Sequence, residues 1–396
     1  MTSKFDEIRP YDNADLPHVL KQLVNNGEFI STLVAFRFAQ WPQFTKPLFA
    51  YFIKRFISKK IQTTLSLRDF QDMIEPYMQR MLIKTTNALT VTGLDTLDLS
   101  SPCLFISNHR DIVLDPAFVN WVLHINGQDT VRIAVGDNLL SKGWVADILR
   151  LNKCFVVQRS IEGRREKLAA AKLLSEYIYS SLKNDNQHLW IAQREGRAKD
   201  GIDVTNPAII SMLSLNKPKE IDFSDYSANL RIVPVSISYE FDPCDISKAK
   251  ELCQAAKEGG YDKPDNEDMQ SIVNGITGQK GRVHVHFGKL VGNQFGNAKE
   301  VSTFIDQEIL AGYQTFSTSS IALGLLNSEY QDAPPKTDAP SDEVMTGSEE
   351  PQLAKRDKEP QLAKRYLESR LVMLNSEEQQ KLLNMYANPL IRQQQQ

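Results

Sequence analysis

The sequence predicts an α/β fold: a mainly parallel sheet flanked by helices, with a helical N-terminal element and a disordered linker leading to a C-terminal helix. Short runs of aliphatic residues alternate with helical patterns from residue 87 to residue 325. Such alternation is typical of parallel sheets. With 396 residues, 41% of them hydrophobic and 24% charged, the chain is long and apolar enough to bury such a core.

Residues 1–86 are predicted to form a helical region at a membrane interface. Between Phe29 and Leu67 there are six basic residues and no acidic one, although the formal net charge of the protein is −3. The stretch is also rich in aromatic residues, which suits lipid headgroups, and Pro42 and Pro47 divide it into two helices. The alternative is an ordinary packed hairpin with solvated lysines, because amphipathic helices serve both purposes. One more helix is predicted from Ser66 to Thr86.

Residues 87–325 are predicted to form the central α/β domain. Seven runs have the length and composition of strands: Ala88–Val91, Cys103–Ile106, Val131–Val135, Phe155–Val157, Leu189–Ala192, Ile232–Ile237 and Val283–Phe287. Helical spacing of apolar residues occurs between them, at Pro116–Ile125, Glu162–Leu182, Ile246–Lys257, Asn266–Ile276 and Lys299–Ala322.

The chain beyond this domain is predicted to be a disordered acidic linker followed by a helix. Residues 331–365 contain no aromatic residue, five prolines, and eight acidic against six basic residues. So little apolar surface cannot offset the entropy of ordering. The linker holds two copies of Glu-Pro-Gln-Leu-Ala-Lys-Arg, for which we see no chemical role. Apolar residues from Tyr366 to Met385 predict an amphipathic helix in 366–396 that returns to the body or binds a partner.

Composition excludes several classes of function. The near-neutral charge offers no overall footprint for nucleic acid. The four cysteines never occur at C-x-x-C spacing, so neither a zinc site nor a disulfide scaffold is predicted. His284 and His286 share one face of a strand without a third ligand in view, and we predict no metal or cofactor. No apolar run approaches the ~20 residues that span a bilayer, and the N-terminus lacks a secretory signal, which predicts an intracellular protein.

The most informative segment is Ser107–Pro116, directly after a buried strand. A histidine at the carboxyl end of a strand, His109, is followed by two acidic residues, Asp111 and Asp115. This arrangement suits an oriented general base, whose carboxylate partner fixes the imidazole tautomer and stabilises the imidazolium. One His-plus-Asp spacing is weak support by itself.

Three later segments strengthen this interpretation. Phe155–Arg159 ends a strand in an arginine, Trp190–Arg197 ends another in a Glu-Gly-Arg turn, and Ile232–Ile237 is a strand that contains a proline. In a parallel sheet these strand ends open on one edge, where α/β proteins bind ligands. Arginine and glycine at that edge suit a phosphate group.

The four segments, in this order, resemble the motifs of the glycerolipid acyltransferase family, which makes phosphatidic acid: Asn-His…Asp, Phe…Arg, Glu-Gly…Arg and Val-Pro. The resemblance covers about residues 87–292. It implies that His109 is the catalytic base and that Val233-Pro234 supports the acyl-donor side. It also implies a helical N-terminal element that meets the bilayer. The acceptor's phosphate is implied to bind at Arg159, Glu195, Gly196 and Arg197.

The first motif departs from the family pattern. The family places four residues between the histidine and the aspartate, and that aspartate position is Leu114 here. The acid comes one residue later, at Asp115, and another comes earlier, at Asp111. We favour Asp115 as the orienting carboxylate, because it precedes Pro116 as the family aspartate often does. Asp111 remains the alternative.

The third motif also departs from the pattern. The family arginine usually stands three residues after the glutamate, at the position of Ala198, which Arg197 and Lys199 flank. Either cation can reach a phosphate. The ordinary alternatives are that Arg159 is a solvated charge at a strand end and that Glu195 forms a weak surface ion pair with a neighbouring arginine.

The sequence thus predicts a peripheral enzyme of the cytoplasmic face of the cell membrane, attached to anionic lipid. The predicted reaction moves a fatty acyl group from acyl-CoA or acyl carrier protein to the hydroxyl of lysophosphatidic acid, giving phosphatidic acid. Glycerol 3-phosphate is the alternative acceptor, because it presents the same phosphate. A non-catalytic phospholipid-binding scaffold and a lipid-ester or thioester hydrolase are alternatives of other classes. Hydrolysis by a serine route is disfavoured, because the sequence has no Gly-x-Ser-x-Gly motif.

Overall fold

A computed structural model describes residues 3–38, 42, 45–140, 142–261, 263–264, 267–327 and 352–396. Within these ranges the strands form one seven-stranded sheet in the order β1-β7-β6-β2-β5-β3-β4. The strands are β1 (Thr86–Thr92), β2 (Leu104–Ser107), β3 (Arg132–Gly136), β4 (Cys154–Val157), β5 (Leu189–Ala192), β6 (Ile232–Tyr239) and β7 (Gly281–Phe287). The pairings are parallel except β6 with β7, so the prediction of a mainly parallel α/β sheet is confirmed.

Helices cover both faces of this sheet. In the central region they are α5 (Leu114–Ile125), α6 (Gly143–Leu151), α7 (Arg164–Lys183), α8 (Pro207–Leu213), α9 (Phe223–Asn229), α10 (Asp245–Glu258), α11 (Glu267–Thr277), α12 (Ala298–Gly312) and α13 (Ser317–Asn327). Alternate side chains of β2 enter different cores: Leu104 and Ile106 pack with α7 and α12, and Phe105 packs with α5. The strand that carries the first motif is therefore buried on both faces.

The structure differs from the sequence prediction in the shorter helices. The predicted helix Lys299–Ala322 is two helices, α12 and α13, with a break that places Tyr313 against Arg110. Helices α6, α8 and α9 were not predicted, because helices of seven to nine residues are too short to show a clear apolar period.

The N-terminal region consists of α1 (Leu16–Asn25), α2 (Gly27–Arg37), α3 (Lys46–Ile61) and α4 (Leu67–Thr85). Residues 39–41, 43 and 44 of the predicted membrane-interface stretch lie outside the described residues. The chain before α1 joins the sheet edge, because the Ile8 carbonyl accepts the Val156 N–H at 2.8 Å and the Ile8 side chain is buried. Among the described residues, none of the helices combines the length and hydrophobicity needed to cross a bilayer.

The C-terminal helices are α14 (Gln352–Leu371) and α15 (Ser376–Gln394). The predicted linker from residue 331 to residue 351 lies outside the described residues, but residues 352–365 are helical, which differs from a disordered linker ending at Arg365. Glu359 pairs with Arg282 at 2.7 Å and Ala363 is buried, contacts that local composition does not reveal. The predicted single helix is divided at Asn375, whose side chain caps α15. Helix α15 returns to the body and packs on α10 and α13.

Candidate active site

The predicted site residues follow strands that end on the same edge of the sheet. Strands β2, β4, β5 and β6 run in one direction. His109 comes two residues after β2, Arg159 two after β4 and Glu195 three after β5. Gly196 has φ +73°, in the left-handed region that glycine enters at little cost, and it turns the chain at this edge.

His109 and Asp115 form a hydrogen-bonded pair. The imidazole Nδ1 lies 2.9 Å from Asp115 Oδ2, and the histidine side chain is 15% exposed while the carboxylate is fully buried. The Trp190 ring packs edge-on against the imidazole, with ring centroids 5.9 Å apart. Because the carboxylate occupies Nδ1, Nε2 is the nitrogen available to exchange a proton with a substrate.

Three further donors hold the Asp115 carboxylate in place. Oδ2 accepts the backbone N–H groups of Arg110 at 2.6 Å and Asp111 at 2.9 Å, and Oδ1 accepts the Tyr239 hydroxyl at 2.7 Å. Burial and the nearby Asp115 charge raise the pKa of Tyr239 well above its usual value. The phenol therefore stays protonated and donates a hydrogen bond to the carboxylate. The backbone donors lie in the segment that contains the extra residue of this motif.

Asp111 has a different place. Its Oδ1 accepts the N–H groups of Val113 and Leu114 where α5 begins, at 3.0 and 2.9 Å. Its Oδ2 lies against α11, where a Cβ added at Gly275 would come within 2.3 Å of it. Burial, and then the charge of Asp115, raise the pKa of Asp111. Of the two acids, the structure therefore brings Asp115 to the imidazole and leaves Asp111 at the start of α5.

The asparagine of the first motif joins two strands. Asn108 Nδ2 donates to the Ile237 carbonyl at 2.9 Å, and Asn108 Oδ1 accepts the Ile237 N–H at 2.8 Å. The Val-Pro motif lies in the same strand, β6, where Val233 and Pro234 are buried beside Phe105 and Ile106 of β2. The fourth motif thus lies in the strand that pairs with the strand leading to His109. Its role toward an acyl donor remains a prediction.

Arg159 and Glu195 meet across the site edge. Arg159 Nη1 lies 3.6 Å from Glu195 Oε1, and both side chains are solvent-accessible, at 36% and 72% exposed. The Arg159 backbone N–H donates to Asp137 Oδ2 at 3.1 Å, which fixes the chain from which the guanidinium projects. An arginine with one weak, exposed partner can exchange it for a phosphate group.

The two cations of the third motif have separate partners. Arg197 Nη2 donates to Ser271 Oγ of α11 at 3.3 Å, whereas Lys199 forms an ion pair with Glu251 of α10. Ala198, at the usual position of the family arginine, is buried and donates its N–H to the His109 carbonyl at 2.8 Å. Arg197 is therefore the cation with the weaker, neutral partner.

His284 and His286 on β7 are engaged by threonine hydroxyls. Thr92 Oγ1 lies 3.1 Å from His284 Nε2 and 2.8 Å from His286 Nδ1, and Thr90 Oγ1 lies 2.8 Å from His284 Nδ1. Within the part of the chain that the structure describes, no group of three or more His, Cys, Asp or Glu side chains is placed to hold a metal ion.

These features define a class: an α/β domain with an oriented histidine–carboxylate pair and two nearby arginines, one exposed and one half-buried, at the carboxyl edge of a mainly parallel sheet. Residues 88–238 match the sequence model of the acyltransferase family. This segment is therefore an acyltransferase domain, and the resemblance that the four motifs indicated is confirmed at the level of the family.

Comparisons with individual proteins are more distant. This chain is similar to the 1-acyl-sn-glycerophosphate (LPA) acyltransferase PlsC from Thermotoga maritima, with 12% identity over 75% of this chain and 92% of that chain and a TM-score of 0.32. It is also similar to the signal recognition particle receptor FtsY from Elizabethkingia anophelis, with the same identity and coverage and a TM-score of 0.22. Likenesses this weak support no argument about activity. No curated protein matches the sequence.

Proposed function

We propose that this protein transfers a fatty acyl group from a thioester, acyl-CoA or acyl carrier protein, to the hydroxyl of lysophosphatidic acid, with glycerol 3-phosphate as the alternative acceptor. The observation that carries the proposal is the imidazole of His109, bound at Nδ1 by a buried carboxylate, in an acyltransferase domain. Arg159 and Arg197 lie at the same sheet edge, which supports an acceptor that carries a phosphate.

In the proposed reaction His109 Nε2 removes the proton of the acceptor hydroxyl as its oxygen attacks the thioester carbonyl. The C–S bond then breaks, and the departing thiolate takes that proton from the imidazolium, which Asp115 stabilises in the meantime. No acyl-enzyme is required, so both substrates bind together. Burial raises the pKa of the Cys154 thiol to about 12, which argues against a thiolate nucleophile at that cysteine.

The experiment that tests the function is free-thiol release from labelled palmitoyl thioester, with and without acceptor. A transferase needs the acceptor, a hydrolase releases thiol without it, and a scaffold releases none in either case. Lysophosphatidic acid and glycerol 3-phosphate offered in competition then identify the acceptor. Ping-pong kinetics or acyl label trapped on the protein would contradict direct transfer.

Replacing Arg159 or Arg197 with alanine is expected to raise the KM for the acceptor much more than the KM for the donor. A charged hydrogen bond is worth about 1.5–3 kcal/mol, so the loss corresponds to about a tenfold to hundredfold rise. Steady-state kinetics with each substrate varied in turn measure the two constants. Lys167→Ala, which removes an exposed cation of α7, is the matched control. Equal effects on both KM values would indicate a structural role instead.

We also propose that α3 attaches the enzyme to the surface of the cytoplasmic membrane leaflet. Leu48, Phe52 and Phe56 recur every four residues along one side of α3, Tyr51 lies next to them, and all four side chains are between 55% and 62% exposed. Among the described side chains of α3 none is buried. An exposed aromatic stripe on a basic helix suits a headgroup layer, and this favours membrane contact over a packed hairpin.

Reversing the charge of α3 is expected to release the protein from anionic vesicles while sparing the fold. Each basic residue near an anionic surface contributes about 1 kcal/mol, so four reversals remove most of the electrostatic attraction. The variant changes four cations to glutamate: Lys54, Arg55, Lys59 and Lys60. Cosedimentation with phosphatidylserine-containing vesicles at low and high salt measures binding.

The matched control reverses four exposed cations elsewhere: Lys250, Lys257, Lys364 and Arg365. It is expected to bind the vesicles more tightly than the α3 variant. If the α3 variant binds the vesicles as tightly as wild type, or if wild type does not bind them, α3 is part of an ordinary packed hairpin.

A further inference from the structure

The main chain of His109 is held by the loop that follows the Glu-Gly-Arg turn of the third motif. The His109 N–H donates to Asp203 Oδ2 at 2.6 Å, and the His109 carbonyl accepts the Ala198 N–H at 2.8 Å. Residues 198–205, which we name the clamp loop, thus bind both backbone polar groups of His109. The Asp203 side chain is half-buried, and this partial burial raises the pKa of its carboxyl group.

The clamp loop is in turn held by the C-terminal helix α15. Arg392 Nη1 donates to the Asp203 carbonyl at 2.9 Å, and Asn388 Nδ2 donates to the Asp200 carbonyl at 2.6 Å. Between these contacts Gly201 has φ +75°, and a Cβ added there would lie 2.4 Å from the Met385 carbonyl oxygen. The helix therefore lies directly against the loop, and this closeness requires glycine at position 201.

Helix α15 also reaches the residue after His109. The Tyr386 hydroxyl accepts the Asp242 N–H at 2.9 Å, and Asp242 forms buried ion pairs with Lys248 and Arg110. Burial opposes the ionisation of Asp242, but the two cations outweigh it and lower its pKa to about 2. Lys248 Nζ donates to the Arg110 carbonyl at 2.7 Å. Both residues that follow Asn108 are thus tied, through one further residue, to α15.

We propose that Asp203 is a positioning residue for His109, and that α15 completes the active site by fixing Asp203 through Arg392. Asp115 fixes the orientation of the imidazole ring, while the clamp loop fixes the position of the backbone from which the ring projects. Helix α15 lies outside the matched residues 88–238, so the acyltransferase domain of this chain is completed by a segment far away in the sequence. The inference rests on the proposed function only in taking His109 as the base.

The test uses the full chain and two substitutions at Asp203. Asp203→Ala removes the acceptor for the His109 N–H, and misplacing a reacting group by about 1 Å can lower a rate about a hundredfold. We expect Asp203→Ala to lower kcat about tenfold to a hundredfold with both KM values unchanged. Asp203→Asn keeps an acceptor oxygen, so it is expected to restore most of kcat. Asp222→Ala removes an exposed aspartate and is the matched control.

A second measurement does not depend on turnover. In Asp203→Ala and Arg392→Ala, hydrogen exchange of the peptide that contains His109 is expected to quicken, while peptides from β2 and β5 keep their protection. Arg365→Ala, which removes an exposed arginine of α14, is expected to leave exchange unchanged. If Asp203→Ala fails to fold, the hydrogen exchange of Arg392→Ala tests the inference, because that variant leaves the Asp203 carboxylate in place.

The outcomes separate this inference from the proposed function. If wild type releases no thiol with any acceptor, the proposed function fails, and hydrogen exchange still tests the clamp. An active Asp203→Ala variant with wild-type kcat, or wild-type exchange at His109 in both variants, overturns the inference. A loss of kcat that Asp203→Asn does not restore, or that comes with equal rises in both KM values, also overturns it.

Discussion

Replacing His109 with alanine is expected to abolish acyl transfer and to leave the fold intact. A positioned general base contributes about 10²- to 10⁴-fold to a rate, and Nε2 of His109 is the group that would take the hydroxyl proton. Truncation should be tolerated, because Asp115 keeps the backbone donors of Arg110 and Asp111 and the hydroxyl of Tyr239. Acceptor-dependent thiol release measures the rate, and circular dichroism with thermal unfolding checks the fold.

A matched control for this variant lies on α5. His124 is a partly exposed histidine that pairs with Glu75 at 3.5 Å, so His124→Ala removes an imidazole without touching the site edge. It is expected to retain the wild-type rate. A folded His109→Ala protein that keeps more than about a tenth of the wild-type rate would be incompatible with general-base catalysis by His109.

The sheet could be predicted because its signals are local. Each of the seven predicted runs overlaps a strand of the structure, since a buried strand appears in sequence as a short apolar run. The parallel arrangement that follows from alternation then placed the motifs on one edge. Their order along the chain was enough to indicate the acyltransferase family, which the match over residues 88–238 confirms.

The supports of the site could not be predicted, because they come from distant parts of the chain. Tyr239 and Asp203 are 124 and 94 residues away from the groups they bind, Asp115 and His109. Arg392 is farther still, 189 residues from Asp203. No spacing rule connects such pairs. Tyr239 lies two residues beyond the predicted strand Ile232–Ile237, and that position does not indicate Asp115 as its partner.

The choice between Asp111 and Asp115 shows the same limit at short range. Both acids lie within six residues of His109, and the family spacing fits neither of them. What separates them is the path of the loop. It directs the N–H groups of Arg110 and Asp111 onto Asp115, and those of Val113 and Leu114 onto Asp111. The sequence could favour Asp115 only through its proline neighbour.

Asp115→Asn is expected to lower acyl transfer about 10²- to 10⁴-fold, and Asp111→Asn is expected to have little effect. A neutral amide at position 115 no longer stabilises the imidazolium, and its NH₂ group can impose the wrong tautomer on His109. At position 111 an amide oxygen can still accept the two N–H groups at the start of α5. Burial and the Asp115 charge raise the pKa of Asp111, which means that this environment disfavours a charge on its side chain, so a neutral amide is expected to be tolerated there.

The two asparagine variants are matched controls for each other, since each replaces one buried carboxylate with a side chain of the same shape. The kcat of each variant is measured with the acceptor at saturating concentration. Thermal unfolding checks that the two variants are equally stable at the assay temperature. If Asp111→Asn lowers kcat more than Asp115→Asn does, Asp111 is the carboxylate that serves the base. The hydrogen bond between Asp115 and His109 Nδ1 would then be one that the reaction does not use.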